Sequence, residues 1–442
     1  MNSVTEARQK SWRQLLAEAR DADYWASNTQ ILLRDARSLS GEQLQQRLKH
    51  FVFWADYSSR HPGTIDPDLL AAFAEDFSRL VGNYGVLADV DIVVALDQAI
   101  ELRRRNSDST TRLHLAKARY LATLSLEDSE RVRALQAAVE GSASGTDLWA
   151  EAILAYTWYY IDVSRYAEAL RMVKTLEVGM RGSPLEQKYR CGALTMTGIA
   201  LFTSFRSLRI AKQSLREACD YQNVLGDDLE VRRWIASAYH YRGRIAEVDK
   251  KYRTALSLYL TGQSVQLQCP EELQALAFTH VRISEPLINA GLFQAARDHL
   301  NIALEQFQLA ADRSSGRLQV QLGFATLSAA QGHFDDALDT VEVSRVEASA
   351  VGYWRGELLC LGYLLALYVR RRRFLRVARV LIQMLRTIRY GELRRNNAVM
   401  LLARVPVMLR VALRRMSHKT GSGTAKDEAL ARCSCPMHLV EG

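Results

Sequence analysis

The chain has 442 residues, 48% of them hydrophobic, with only 7 prolines and 24 glycines and a formal net charge of +9. That length holds two to four ordinary domains or one long repeat array. No apolar run approaches the roughly 18 residues of a membrane span, and alternating β-branched runs are scarce, which excludes a membrane-spanning helix and a sheet as organising features.

The start, Met1-Asn-Ser-Val-Thr-Glu-Ala-Arg, is polar and lacks the apolar core of a secretion signal, so a cytoplasmic address is expected. Residues 3–60 read as two or three amphipathic helices carrying Trp12, Tyr24, Trp25, Phe51, Phe53, Trp54 and Tyr57, a cap that seals the first repeat. Ser38-Leu-Ser-Gly-Glu has the spacing of a helix start. A DNA-reading second helix would need exposed polar and basic contacts, whereas the residues after it are apolar and aromatic. His61-Pro-Gly-Thr-Ile-Asp-Pro turns the chain, and two helices follow over about 67–105. A polar connector (Arg103 to Thr111) and a loop at Gly141-Ser-Ala-Ser-Gly-Thr-Asp come next, with Thr146 or Asp147 as the N-cap before Trp149. Residues 1–120 are thus expected to be an N-terminal helical cap with the first helical pairs.

From 121 to 386 one pattern returns about seven times: a bulky anchor, an alanine three positions later, and usually a small residue nine positions earlier. Phe293 has Ala296 and Ser284; Phe334 has Ala337 and Ala325; Tyr166 has Ala169 and Thr157; Tyr252 has Ala255 and Gly243; Leu208 has Ala211. A copy at Arg131 keeps Ala134 and Ala122 without the aromatic, and the last, at Phe374, slips to Val377 and Leu365. The small residue lets the alanine of a second helix approach, and the bulky anchor fills the turn. Gly291 and Gly332, two residues before their anchors, suit a reversal that needs positive φ. Cys191, Cys219, Cys269 and Cys360 are scattered through this stretch, as reduced, buried thiols would be.

These residues resemble the tetratricopeptide repeat family, in a divergent form whose anchors after Tyr166 recur every 40 to 44 residues against about 34 in the standard repeat. The resemblance implies an all-α, right-handed superhelical solenoid of about seven hairpins. It also implies a non-enzymatic adaptor or regulatory sensor that holds a protein or peptide in a groove lined by the first helices. Carried over position by position, that lining is Trp158 and Asp162, then His240, Arg244, Glu247 and Val248, then Glu285 and Asn289.

From Arg370 to Arg415 there are fourteen arginines, no lysine and one acid, Glu392. The segment carries +13 and leaves the rest of the chain at −4, an electrostatic footprint confined to one end. Residues 387–416 read as basic capping helices. The arginines either simply solubilise the outer face of such a cap or, through Arg370, Arg371, Arg372, Arg373, Arg376, Arg394 and Arg395, offer a surface to an acidic protein, a nucleic acid backbone or an anionic membrane, the last of which would place the chain at the membrane periphery.

Residues 417–442 have the composition of a flexible linker ending in Cys433-Ser-Cys-Pro-Met-His438. Cys433, Cys435 and His438 could share Zn or Cu, or be the target of a modifying enzyme; equally, they are incidental cysteines of a tail. No other cofactor is expected. Phosphate-binding, dinucleotide, zinc-protease and nucleophile-elbow motifs are all missing, and Val399, Met400 and Leu401 follow Arg395-Asn396 where a helical ribonuclease would place its histidine. The expectation is a binding protein, not an enzyme.

Overall fold

The computed structural model describes residues 92–390, apart from 106–108, 125–128, 164, 205, 270–272, 310–315 and 351–352. The expected cap over 3–60, the turn at His61, and everything from 391 onward, including Arg394, Arg395, Cys433, Cys435 and His438, lie outside the described residues. Among the described residues all regular structure is helical, and no helix is long and apolar enough to cross a membrane.

A helix α1 (Ile92–Arg105) precedes seven described hairpins. They are α2 (Thr111–Leu124) with α3 (Ser129–Glu140), α4 (Asp147–Asp162) with α5 (Tyr166–Gly179), and α6 (Glu186–Thr203) with α7 (Leu208–Asp220). After a single turn at Gln222–Leu225 come α8 (Leu229–Val248) with α9 (Tyr252–Gln266), and α10 (Leu273–Asn289) with α11 (Phe293–Leu309). The last two are α12 (Gly316–Ala330) with α13 (Phe334–Ala350), and α14 (Trp354–Arg370) with α15 (Phe374–Tyr390). The first of these hairpins opens at Thr111, and the last closes at Tyr390.

Six of the seven anchors are the first residue of a second helix: Tyr166, Leu208, Tyr252, Phe293, Phe334 and Phe374. Their alanines, Ala169, Ala211, Ala255, Ala296 and Ala337, are completely buried, and so are Thr157 and Ser284 on the first helices. This is close helix-on-helix packing through small residues, and it makes the chain a series of tetratricopeptide-like hairpins. Thr146 is the N-cap of α4, its hydroxyl accepting from the Trp149 N–H at 3.3 Å.

The turns share one hydrogen bond. In five, the N–H of the residue before the anchor donates to the carbonyl five residues back (Arg165 to Tyr160, Lys251 to Ala246, Leu292 to Leu287, His333 to Ser328 and Arg373 to Tyr368), and in the Leu208 hairpin the same bond runs from Arg206, two residues before the anchor, to Leu201. That is the Schellman helix end, which asks for a left-handed residue one position earlier. Gly291 (φ 79°) and Gly332 (φ 94°) supply it, and so do two residues with side chains, Lys250 (φ 61°) and Arg372 (φ 55°).

The chain divides into two compact units, one of Met1–Ala238 with Val265–Leu273 and Leu309–Ala311, the other of Tyr239–Ser264, Gln274–Gln308 and Asp312–Gly442. In the first, Tyr156, Tyr159 and Val163 of α4 and its C-cap pack on Ala118, Ala134 and Leu135. Arg131 replaces the missing aromatic anchor there: its guanidinium lies 5.1 Å from the Tyr159 ring centroid and donates to Asp162 at 3.3 Å. In the second, one core joins Tyr259, Leu287, Leu300, Phe307 and Val320, and another joins Leu322, Val341, Leu361, Leu364 and Met384. Each large apolar side chain so buried contributes about 1.5–3 kcal/mol.

Candidate binding site around Tyr259

The second unit holds the densest group of polar side chains proposed from the sequence. His240, Arg244 and Glu247 recur at helical spacing along one face of α8. Between them Gly243 leaves bare backbone, and the ring of Tyr259 from α9 lies against it; a Cβ at 243 would stand 2.4 Å from Tyr259 Cε1. The ring is completely buried, and its hydroxyl has no hydrogen-bond partner among the described residues.

That hydroxyl lies in the field of Glu247, Arg282, Glu285 and Arg244. On α10, Arg282 Nη1 donates to Glu285 Oε1 at 2.8 Å, and Nη2 donates to Gln319 Oε1 on α12 at 2.6 Å. Glu247 and Glu285 are buried. Arg244 stacks on Tyr241 with its guanidinium 5.0 Å from the ring centroid, and His240 lies 5.7 Å from Tyr259, ring to ring.

Burial, then Glu247, push the Tyr259 phenol well above its ordinary range. Burial, then Arg244 and Arg282, push His240 well below its own. Burial and then the neighbouring Arg282 lower Arg244, a repulsion that outweighs the pull of Glu247. Neither the phenol nor the imidazole titrates near neutrality, so the group offers fixed charge and hydrogen bonds rather than proton transfer.

A second polar string runs through the same unit away from these charges. Gln263 Nε2 donates to His280 Nε2 at 3.1 Å, so His280 carries its proton on Nδ1 and donates to His299 Nδ1 at 2.8 Å. Both imidazoles are buried, and burial followed by His299 lowers His280 to about 3.

The structure thus brings together His240, Arg244, Glu247 and Glu285. Asn289 donates to the Glu285 carbonyl at 2.8 Å, which spends its amide on its own helix end. Trp158 and Asp162 belong to the other unit, where Asp162 accepts from Arg131 and Trp158 is partly exposed. Sequence reasoning missed Tyr259, Arg282 and Gln319. An Arg-Glu pair three residues apart on one helix was the available signal for Arg282; Tyr259, on a second helix, read as core.

Several basic-segment arginines have intramolecular roles. Arg370 lies 4.8 Å from the Phe334 ring centroid, where burial lowers its pKa, Arg371 pairs with Asp335, and Arg376 donates to the Tyr368 hydroxyl at 3.4 Å. Arg372 is exposed and Arg373 partly so. On α15, Phe374, Leu375, Leu381, Ile382 and Leu385 stand exposed beside the exposed Arg376, Arg379 and Arg386. The four described cysteines, Cys191, Cys219, Cys269 and Cys360, are buried thiols; burial raises Cys191 and Cys360 to about 12.

The described residues thus form an all-α helical-hairpin fold that holds one charged, partly buried side-chain cluster around Tyr259. The sequence matches no family model, and no curated protein matches it. Among solved structures it is similar to a Rap protein complexed with competence and sporulation factor, at 12% identity over 79% of this chain and all of that one (TM-score 0.47). It is also similar to aspartyl phosphate phosphatase F from Bacillus subtilis, at 10% identity over 85% and 94% of the two chains (TM-score 0.47). A third is a signal-transduction ATPase with a tetratricopeptide repeat sensor from Pyrococcus horikoshii, at 11% identity over 93% and 71% (TM-score 0.45). At this distance the likenesses fix neither a partner nor an activity.

Proposed function

We propose that the chain is a non-enzymatic adaptor or regulatory sensor that holds a peptide or a segment of a partner protein against His240, Arg244, Glu247, Arg282 and Glu285. The supporting observation is the concentration of two arginines, two buried glutamates and a hydroxyl without a partner around one ring. Charge enclosed to this degree contributes little to stability by itself, and such a group suits recognition of a complementary segment. Capture on the full-length chain, with Arg244→Ala and Glu247→Ala as comparison, tests the reading. A partner recovered equally by all three would count against this site.

A second surface is carried by α15. Its exposed apolar side chains and arginines, with no acid between residues 358 and 391, suit an anionic membrane or an acidic partner. Flotation with anionic vesicles in low and high salt separates the two: salt-sensitive flotation supports the membrane reading, and its absence removes it.

A further inference from the structure

We propose that the outer face of α15 docks on a second copy of this chain, against the outer face of α13. The proposal rests on the reading of α15 as a binding surface and names the partner that reading leaves open.

Exposed apolar surface is not spread evenly over the hairpins. Of the ten large apolar side chains exposed among the described residues, seven lie on these two helices, five on α15 and two, Val343 and Val346, on α13. A patch of that kind on a protein surface marks a contact site. Both helices are packed on their other side, through Val380 and Met384 on α15 and through Ala337, Val341 and Ser344 on α13. The exposed rows have the spacing of helix-on-helix contact. Leu375, Arg379, Ile382 and Arg386 recur at intervals of four, three and four residues, and so do Asp335, Asp339, Glu342 and Val346.

Charge selects the pairing. α13 carries five acids and one arginine, a net −4, and α15 carries four arginines and no acid, a net +4; the other five second helices lie between −1 and +1. Asp335 pairs with Arg371 and Glu342 with Arg345 inside the chain. Asp336 and Asp339 on α13, and Arg379 and Arg386 on α15, are exposed and make no ion pair among the described residues. Two faces of opposite charge, each with exposed apolar side chains among the charges, are complementary in both respects.

The two rows also fit in one direction. Laid antiparallel in a single register, Leu375 meets Val346, Arg379 meets Glu342 and Arg386 meets Asp335, with Asp339 between the two arginines. Laid parallel, Leu375, which is 84% exposed, falls on Asp335, and Arg386 falls on Val346. The chain's own continuation does not supply the missing charge, since residues 391–416 hold six arginines and one acid, Glu392.

Sedimentation equilibrium of the full-length chain over a concentration series, in low and in high salt, is the first measurement. We expect self-association that is about tenfold tighter in low salt. Arg379→Glu with Arg386→Glu, or Asp336→Arg with Asp339→Arg, should each weaken it by more than about tenfold, because like charges then face each other. Mixed together, the two reversed chains should associate again, since each offers the face that the other now needs. Leu375→Gln, which alters no charge, should weaken association in both salts. All five positions are exposed, and thermal melts matching the wild type check that the fold is kept.

A chain that stays monomeric at every concentration in low salt would overturn the proposal. Salt-sensitive flotation of that monomer with anionic vesicles would then leave α15 as a membrane surface. No flotation would mean that the chain's own continuation covers α15, which removes the surface reading as well. Association that persists in both reversed chains would place the contact elsewhere and overturn the pairing of α13 with α15. Reversed chains that stay apart when mixed would overturn it too.

Discussion

Gly243 and Tyr259 fit each other as backbone against ring: a Cβ at 243 would lie 2.4 Å from Tyr259 Cε1 and 2.7 Å from Cδ1. In an open helix, alanine would be favoured over glycine by about 1 kcal/mol. Here overpacking against a buried ring opposes that gain with a gross cost of about 1–3 kcal/mol, more where the ring cannot yield. Gly243→Ala is expected to lower stability by about 1–2 kcal/mol in urea denaturation and to displace Tyr259. The pair Gly243→Ala with Tyr259→Leu should recover most of the loss, because the smaller side chain makes room.

The left-handed turn residues separate backbone from side-chain effects. Lys250 and Arg372 adopt the conformation that Gly291 and Gly332 adopt at their own turns, and a side chain there costs about 1–2 kcal/mol. Replacing either by glycine should stabilise the chain by about 0.5–1 kcal/mol, after the extra entropy of glycine is counted. Gly291→Ala should destabilise by about 1 kcal/mol. Unchanged melting temperatures in all three would mean that these turns are not held left-handed.

The buried His280–His299 pair sets a pH dependence. In the unfolded chain His280 takes up a proton near pH 6.5, whereas in the folded chain burial, then His299, hold it at about 3. The unfolded state therefore binds more protons as pH falls through 6.5, and stability is lost from there downward. The difference at pH 5 is about 2 kcal/mol relative to pH 8. His280→Gln should flatten that part of the curve; an equally steep fall would place the titrating group elsewhere.

Arg131 carries an anchor position through charge instead of an aromatic ring. Its side chain is 5% exposed, against 21% for Asp162. Asp162→Ala would leave the guanidinium buried without that carboxylate, at a cost of about 2–3 kcal/mol once partial exposure of the acid is allowed for. Arg131→Leu combined with Asp162→Ala should restore much of it. The comparison is read from chemical denaturation midpoints.

The hairpin frame was legible because it rests on local spacing. An anchor and an alanine three residues later announce a second helix, and Tyr166, Leu208, Tyr252, Phe293, Phe334 and Phe374 each open one. The turns at Lys250 and Arg372 were hidden because their hydrogen bond is made by backbone, which leaves no mark on residue type. His240, Arg244, Glu247 and Glu285 could be assembled from helical register. Tyr259 and Gln319 could not, since they reach the cluster from neighbouring helices through contacts that no period within α8 or α10 encodes. The α15 arginines show the converse: a run that reads as a uniform charged surface contains residues spent on Phe334, Asp335 and Tyr368.

Hydrogen exchange of the full-length chain, with and without a captured peptide or partner segment, tests the binding surface most directly. Protection is expected in 240–248 and 282–289, the helical stretches that carry His240, Arg244, Glu247, Arg282 and Glu285, and it should vanish with Arg244→Ala. Protection confined to Phe374–Tyr390, or unchanged by Arg244→Ala, would contradict the account and move the binding surface to α15.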